Sequence, residues 1–358
     1  MSELIEISHC LTFPNEKEIV ISAQNSDPLK NLKYLLLIIP AGVILYFAGP
    51  KPPAPDLNLT YESDLPDDLQ TLEKTIADRE KQIPGIKEHN EASFFWADSI
   101  PQVTEYALVY IHGFSASQEE GAPVHENLAR KYGANLYKAR MAEHGIDLGD
   151  ETMTGLTADA YIRSAEEALA IGKKIGRKVI VIGTSAGGAL SLYLGSRHPE
   201  IEALVLYSPC VKIYDDNAEM LDNPWGLKIG QMVKGSPFND ITPANEDQPK
   251  YWTMHYRMEA LVALQNFLTH AMNKETFQAI KCPVFLGYYY KDEEHQDKVV
   301  SVPAMLEMFD ELGSVKKEKV AFPNAENHVL ASWVLSRDVE TVQSETEKFL
   351  DGIITPRP

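Results

Sequence analysis

Residues 179–195 read VIVIGTSAGGALSLYLG: a β-branched apolar run, a turn of small residues, then a stretch with helical spacing. A buried strand that passes straight into a helix belongs to an α/β architecture, where helices cover both faces of a parallel sheet. The turn itself, Gly183-Thr184-Ser185-Ala186-Gly187, fits G-x-S-x-G. A serine at such a corner is forced into a strained backbone, so the positions two away must be nearly free of side chain. Its hydroxyl is pushed clear of the sheet, and the first N–H groups of the helix point at the same spot. Those donors and the helix dipole favour negative charge there.

The remainder of the chain keeps the same rhythm. ASFFWA, YALVYIHGF, GANLYKARM, KVIVIGTS, ALVLYSP, PVFLGYYY and KEKVAF read as strands, separated by helical stretches such as TADAYIRSAEEALAIGKKIG and a last helix near Val339–Asp351. With 358 residues, 44% hydrophobic and 24% charged, the chain can bury the core this sheet needs. The expected domain spans 89–354. One interruption stands out: about residues 212–280 separate two strands, far more than a crossover requires. An insertion of that size is expected to cap a site. Its aromatic residues Trp225, Tyr251, Trp252, Tyr256 and Phe267 either line a pocket or form the insertion's own core.

A serine hydroxyl becomes a nucleophile only beside a base. Of the ten histidines, His328 in AFPNAENHVLAS lies just past the last strand and comes after the serine and the acid, the chain order of this arrangement. His255 and His270 fall in the insertion and read as surface residues. The acid is expected after PVFLGYYY, within KDEEHQDKVVSVPAM. Asp297 is preferred, since its spacing to Val300 anchors the loop at the sheet edge; Asp292, next to the strand, is the rival. The strand ending His112-Gly113-Phe114 offers the Phe114 N–H as an oxyanion donor beside that of Ala186, with His112 supporting the loop. No EF-hand spacing or cysteine–histidine metal pattern occurs, so no metal is expected.

Ahead of the domain, KNLKYLLLIIPAGVILYFAGP carries an uncharged apolar stretch from Tyr34 to Pro50, preceded by Lys30 and Lys33. Its length is at the short end for a membrane span, and the lysines favour a cytoplasmic amino terminus with the catalytic domain on the extracytoplasmic side. The expectation is a tail over 1–29, a membrane anchor over 30–50, and a linker with a short helix over 51–88, in which Leu69, Leu72, Ile76 and Ile83 recur at helical intervals. A cleaved export signal is the alternative, although no clear cleavage site follows. Pro40 and the proline-rich continuation speak against a buried core helix. Asn58-Leu59-Thr60 matches a glycosylation acceptor, a common pattern given no role.

The formal net charge of −19, from 33 basic and 52 acidic side chains, excludes nucleic acid as a natural partner. Cys210 and Cys282 flank parallel strands at opposite ends, and Cys10 lies far from both in sequence, so free thiols are expected.

With HGF before the oxyanion loop, GTSAG at the elbow, DKVVS at the acid and NHVLAS at the base, the chain resembles the α/β-hydrolase superfamily from about residue 90 to 351. YKARMAEHGID resembles the Arg-x-x-x-His-Gly segment of relatives of monoglyceride lipase and serine aminopeptidase-type hydrolases. The resemblance implies a mostly parallel sheet with helices on both faces and a helical cap inserted after the sixth strand. It implies a serine esterase or lipase acting on a small acyl ester or lipid without a cofactor, and carries over Ser185, Asp297, His328 and the amides of Phe114 and Ala186. Extra residues around the acid keep Asp292 in contention. Peptidase or thioesterase action on the same triad is the alternative. A membrane-tethered binding protein that lost activity is a further one, against which the complete residue set argues.

Overall fold

The computed structural model describes residues 39–61 and 64–354. The chain divides between Ala48 and Gly49. In the first part, residues 39–47 are helical, and Ile44 and Phe47 are exposed. Nine helical residues rise only about 14 Å, half of a hydrocarbon core of about 30 Å. Among the described residues no helix is long and apolar enough to cross a membrane. The expected anchor is therefore not found there; its residues 30–38, like the tail 1–29 and Cys10, lie outside the described residues.

From Gly49 onward the elements in order are helix α1 (Leu69–Gln82), strands β1 (Ser93–Phe95) and β2 (Thr104–Ile111), helix α2 (Val124–Tyr132), β3 (Asn135–Lys138), α3 (Ala158–Ile175), β4 (Gly176–Thr184), α4 (Ala186–Arg197) and β5 (Ile201–Tyr207). An insertion follows with α5 (Gly226–Lys234), β6 (Phe238–Asp240), α6 (Gln248–Tyr251), β7 (His255–Arg257), α7 (Met258–Ala271) and α8 (Lys274–Ala279). The chain closes with β8 (Val284–Tyr288), α9 (Val302–Glu311), β9 (Lys317–Ala321) and α10 (Val339–Asp351). The main sheet runs β1-β3-β2-β4-β5-β8-β9. Every pairing is parallel except β1 with β3.

The apolar runs are explained by burial on both faces. Val179 and Val181 of β4 join one core cluster and Ile180 and Ile182 the other, as a period of two requires. On the first face the strands meet α1, α3 and α4 through Leu72, Tyr161, Ile162, Leu190 and Leu194. The second face is covered by α2 and α10 through Val124, Leu128, Val342 and Phe349. Helix starts follow local chemistry: Thr157 caps α3 by accepting from the Ala160 N–H, and Asp68 caps α1 by accepting from that of Thr71.

The insertion follows the fifth strand of the sheet, not the sixth. Among the described residues only the short β1 precedes β2, so the count runs one lower. Nor is the insertion purely helical, since β6 and β7 pair antiparallel from Phe238↔Arg257 to Asp240↔His255. Helix α7 anchors it to the core, where Phe267 packs edge-on to Tyr161 and Tyr193. Helix α1 docks through Glu80, which takes a two-point contact from Arg140, Nε to Oε2 at 2.7 Å and Nη2 to Oε1 at 3.0 Å.

Candidate active site

Ser185 sits between β4 and α4 with φ 54° and ψ −120°, a left-handed conformation that costs a non-glycine residue about 1–3 kcal/mol. The flanking glycines are required by contact. A Cβ on Gly187 would lie 2.0 Å from the Ile111 carbonyl oxygen, and one on Gly183 2.4 Å from that of Gly187. The helix start is thus pressed against the end of β2. The Ser185 side chain makes no capping bond to α4, so its hydroxyl is free for another partner.

His328 lies in the loop between β9 and α10. Its Nδ1 is 2.6 Å from Asp297 Oδ2. The other carboxylate oxygen of Asp297 accepts from the N–H groups of Val299 at 2.8 Å and Val300 at 3.1 Å. Asp297 is thereby held by its own loop and aimed at the imidazole. Asp292 is turned elsewhere: its Oδ1 accepts from the N–H groups of Glu294 and His295 and contacts His295 Nδ1. The structure therefore brings Asp297, and not Asp292, to His328.

The electrostatics fit that pairing. Burial alone would lower the His328 pKa, but the charge and hydrogen bond of Asp297, with the charge of Glu120, outweigh it, and the net shift is upward. For Asp297, burial pushes up, while His328 and the two backbone N–H groups bring the carboxyl below its ordinary range. His328 Nε2 is buried and has no hydrogen-bond partner among the described residues. A buried polar atom left unpaired calls for an explanation. Here His328 lines the cavity that Ser185 also lines, and Nε2 is the ring nitrogen that Asp297 leaves open.

That cavity, about 520 Å³, is lined by Phe114, Ser185, Asp297 and His328 from the sheet side. Ile213, Ile241, Trp252, Tyr256, Leu261 and Leu264 line it from the insertion. Of the insertion aromatics, then, Trp252 and Tyr256 face the cavity. Phe267 belongs to the core, Tyr251 packs against Trp333, and the backbone N–H of Trp225 donates to the Pro50 carbonyl. The roof is tied to the floor, because the Thr253 N–H donates to the Ser115 carbonyl at 2.7 Å. Lys87 Nζ also donates to the carbonyls of Pro249 and Trp252.

Phe114 follows Gly113, whose missing side chain would come 3.0 Å from Ser185 Cβ. Its N–H makes no hydrogen bond among the described residues, and that of Ala186 begins α4, where no intrahelical acceptor exists. Both border the serine. His112 is a support, as its spacing implies: Nε2 accepts from the Met141 N–H at 3.0 Å, which leaves Nδ1 as the donor to the Gly113 carbonyl at 2.8 Å. His255 of the insertion pairs with Asp240 there and with Asp150 of the loop before α3, and His270 Nδ1 donates to the Asn266 carbonyl. Cys210 and Cys282 are free thiols. No group of metal-ligating side chains occurs among the described residues. Sequence reasoning missed Glu120, which is 2% exposed and lines the same cavity.

A family model described as serine aminopeptidase, S33, matches residues 107–330, which is more than half of the chain. A thermostable monoacylglycerol lipase of Bacillus sp. (strain H-257) is 27% identical over 236 residues, 64% of this chain and 84% of that relative. Among solved structures, a metagenome-derived lipolytic enzyme matches with TM-score 0.61 at 18% identity, covering 75% of this chain and 99% of the other. A monoacylglycerol lipase of Paleococcus ferrophilus matches at 0.53 and 15% identity, covering 73% and 98%. The structural matches share the α/β-hydrolase sheet, the family match includes Ser185, Asp297 and His328, and the chain belongs to the serine aminopeptidase S33 family of α/β hydrolases.

Proposed function

We propose that the chain is a serine hydrolase that cleaves carboxylic esters of lipids or other acyl chains through an acyl-enzyme on Ser185. The observation that carries this reading is His328: Nδ1 fixed by Asp297 at 2.6 Å, Nε2 buried and unpaired, in one cavity with a strained serine. His328 Nε2 takes the Ser185 proton as the hydroxyl oxygen attacks the acyl carbonyl. The N–H groups of Phe114 and Ala186 hold the oxyanion. His328 then protonates the leaving alcohol, and water, deprotonated by the same imidazole, releases the acid. Asp297 keeps the tautomer that leaves Nε2 able to accept.

The lining favours an acyl chain over a peptide, since the insertion contributes Ile213, Ile241, Trp252, Leu261 and Leu264 to the wall. The lipolytic relatives point the same way. Burying a methylene is worth about 0.8 kcal/mol, so kcat/KM should climb about fourfold per added carbon until the cavity is full. A fluorophosphonate probe tests the nucleophile: labelling is expected in the wild type and lost in Ser185→Ala and His328→Ala. A series of p-nitrophenyl esters then tests the substrate. No labelling of the folded protein sinks the reading, and a labelled protein that cleaves amides but not esters makes it a peptidase.

A further inference from the structure

Glu120 is a buried carboxyl for which the scheme above has no use. It sits on the 3-10 turn Gln118–Gly121, at the wall shared by Ser185 and His328. Its Oε2 accepts from the Gly113 N–H at 2.6 Å and from the Tyr110 hydroxyl at 3.1 Å. The Tyr110 oxygen lies 3.0 Å from Thr184 Oγ1; with the tyrosine proton given to Glu120, Thr184 is the donor. A continuous chain of hydrogen bonds thus joins Thr184, next to the serine, to Gly113, next to Phe114. A Cβ on Gly113 would meet Glu120 Oε1 at 2.9 Å and Ser185 Cβ at 3.0 Å, so carboxyl and serine both press on this one residue.

Glu120 feels the charge of His328 after β9, and its own charge acts on Tyr110 of β2 and Tyr161 of α3. No lysine or arginine forms an ion pair with it among the described residues. Around His328 the acidic groups are Asp297 and Glu120. A brace alone would need only an acceptor, which a glutamine supplies. A carboxylate adds charge, and charge near the imidazole favours the imidazolium that forms when His328 takes the serine proton.

We propose that Glu120 is a positioning residue of this site, bracing the turn that carries the Phe114 N–H and acting as a second carboxylate that makes His328 a stronger base. The proposal rests on the reading of Ser185 and His328 given above. Burial pushes the Glu120 carboxyl up to about 7, against the Gly113 N–H, the His328 charge and Tyr110. As pH rises through neutrality Glu120 becomes ionised, and the active form pairs that carboxylate with a neutral His328.

The test uses the full chain with kcat and KM for p-nitrophenyl butyrate against pH, beside an NMR titration of the His328 ring in 15N-histidine-labelled protein. In Glu120→Gln the His328 titration and the acid limb should move to lower pH by about half a unit or more. The variant's kcat at pH 8 should fall on the order of tenfold with KM within about twofold, and Glu120→Asp should recover part of the loss. Tyr110→Phe, a milder change, removes one donor from Glu120 and should move the limb upward. An imidazole that titrates alike in wild type, Glu120→Gln and Tyr110→Phe overturns the proposal. So does a wild-type rate that falls above pH 7 and stays level in Glu120→Gln, since the protonated acid would then be the working form. The ring titration needs no turnover, so it reports on Glu120 even where the ester is not a substrate.

Discussion

In the proposed scheme His328 must be neutral at Nε2 to accept a proton, and its pKa is raised. The acid limb of kcat/KM is therefore expected above the ordinary imidazole value of about 6.5. Asp297→Asn removes the charge that raises it and the acceptor that fixes the tautomer. We expect kcat to fall by about 10³–10⁴, with Asp292→Asn within about twofold of wild type; a steady-state comparison of the two variants checks this. Glu120 makes a separate contribution to stability. Its folded pKa of about 7 lies above the ordinary glutamate value of about 4.3, so this contribution is full below the latter and lost as pH rises through the former. The melting temperature of the wild type should thus fall relative to Glu120→Gln between about pH 5 and 8, followed by calorimetry. The candidates Ser185, Asp297 and His328 were legible because each falls in the turn or loop after a strand, in one chain order. Glu120 was not: Glu119 and Glu120 are chemically alike in sequence. Only the register of a four-residue 3-10 turn sends one to the Trp333 indole and the other inward.

At the level of elements, the G-x-S-x-G corner is a packing joint as well as a chemical one. Gly187→Ala would drive a methyl into the Ile111 and His112 carbonyl oxygens, at 2.0 and 2.5 Å, and backbone cannot swing aside as a side chain can. A loss of about 3 kcal/mol or more is expected, read as a lowered denaturant midpoint. The roof of the cavity behaves differently. Trp252 packs with Ala116, Val329 and Val334, so it touches both the oxyanion side and the histidine side. Trp252→Ala should flatten the gain in kcat/KM with acyl length while leaving fluorophosphonate labelling in place. The main strands were legible from their apolar runs, whereas β6 and β7 were not. FND and HYR carry no apolar alternation, and they pair because the insertion folds back on itself.

The whole molecule depends on segments the family match does not include. Helix α1 buries Leu69, Leu72 and Ile76 against the sheet and holds Arg140 through Glu80, with both side chains of that pair largely buried. Removing one partner of a buried ion pair typically costs about 3–5 kcal/mol. A chain beginning at residue 84 should therefore aggregate or unfold, and one beginning at Gly49 should melt as the full chain does; circular dichroism of the two separates these outcomes. The order of Ser185, Asp297 and His328 along the chain and the size of the insertion were legible from the sequence. The clasp of α1 was not, because a salt bridge between Glu80 and Arg140 leaves no local periodic mark.

Strands β5 and β8 are neighbours in the sheet, yet the insertion parts them by roughly seventy-five residues of chain. Closing so large a loop carries an entropy cost that only later contacts return, and such pairings form late. The serine and its donors belong to the early half, built on β2 and β4, while Asp297 and His328 follow β8 and β9. During refolding a half-formed sheet can thus hold an elbow that has no base. Recovery of hydrolysis should lag behind recovery of secondary structure, and the enzyme's own turnover becomes a clock for its slowest docking event.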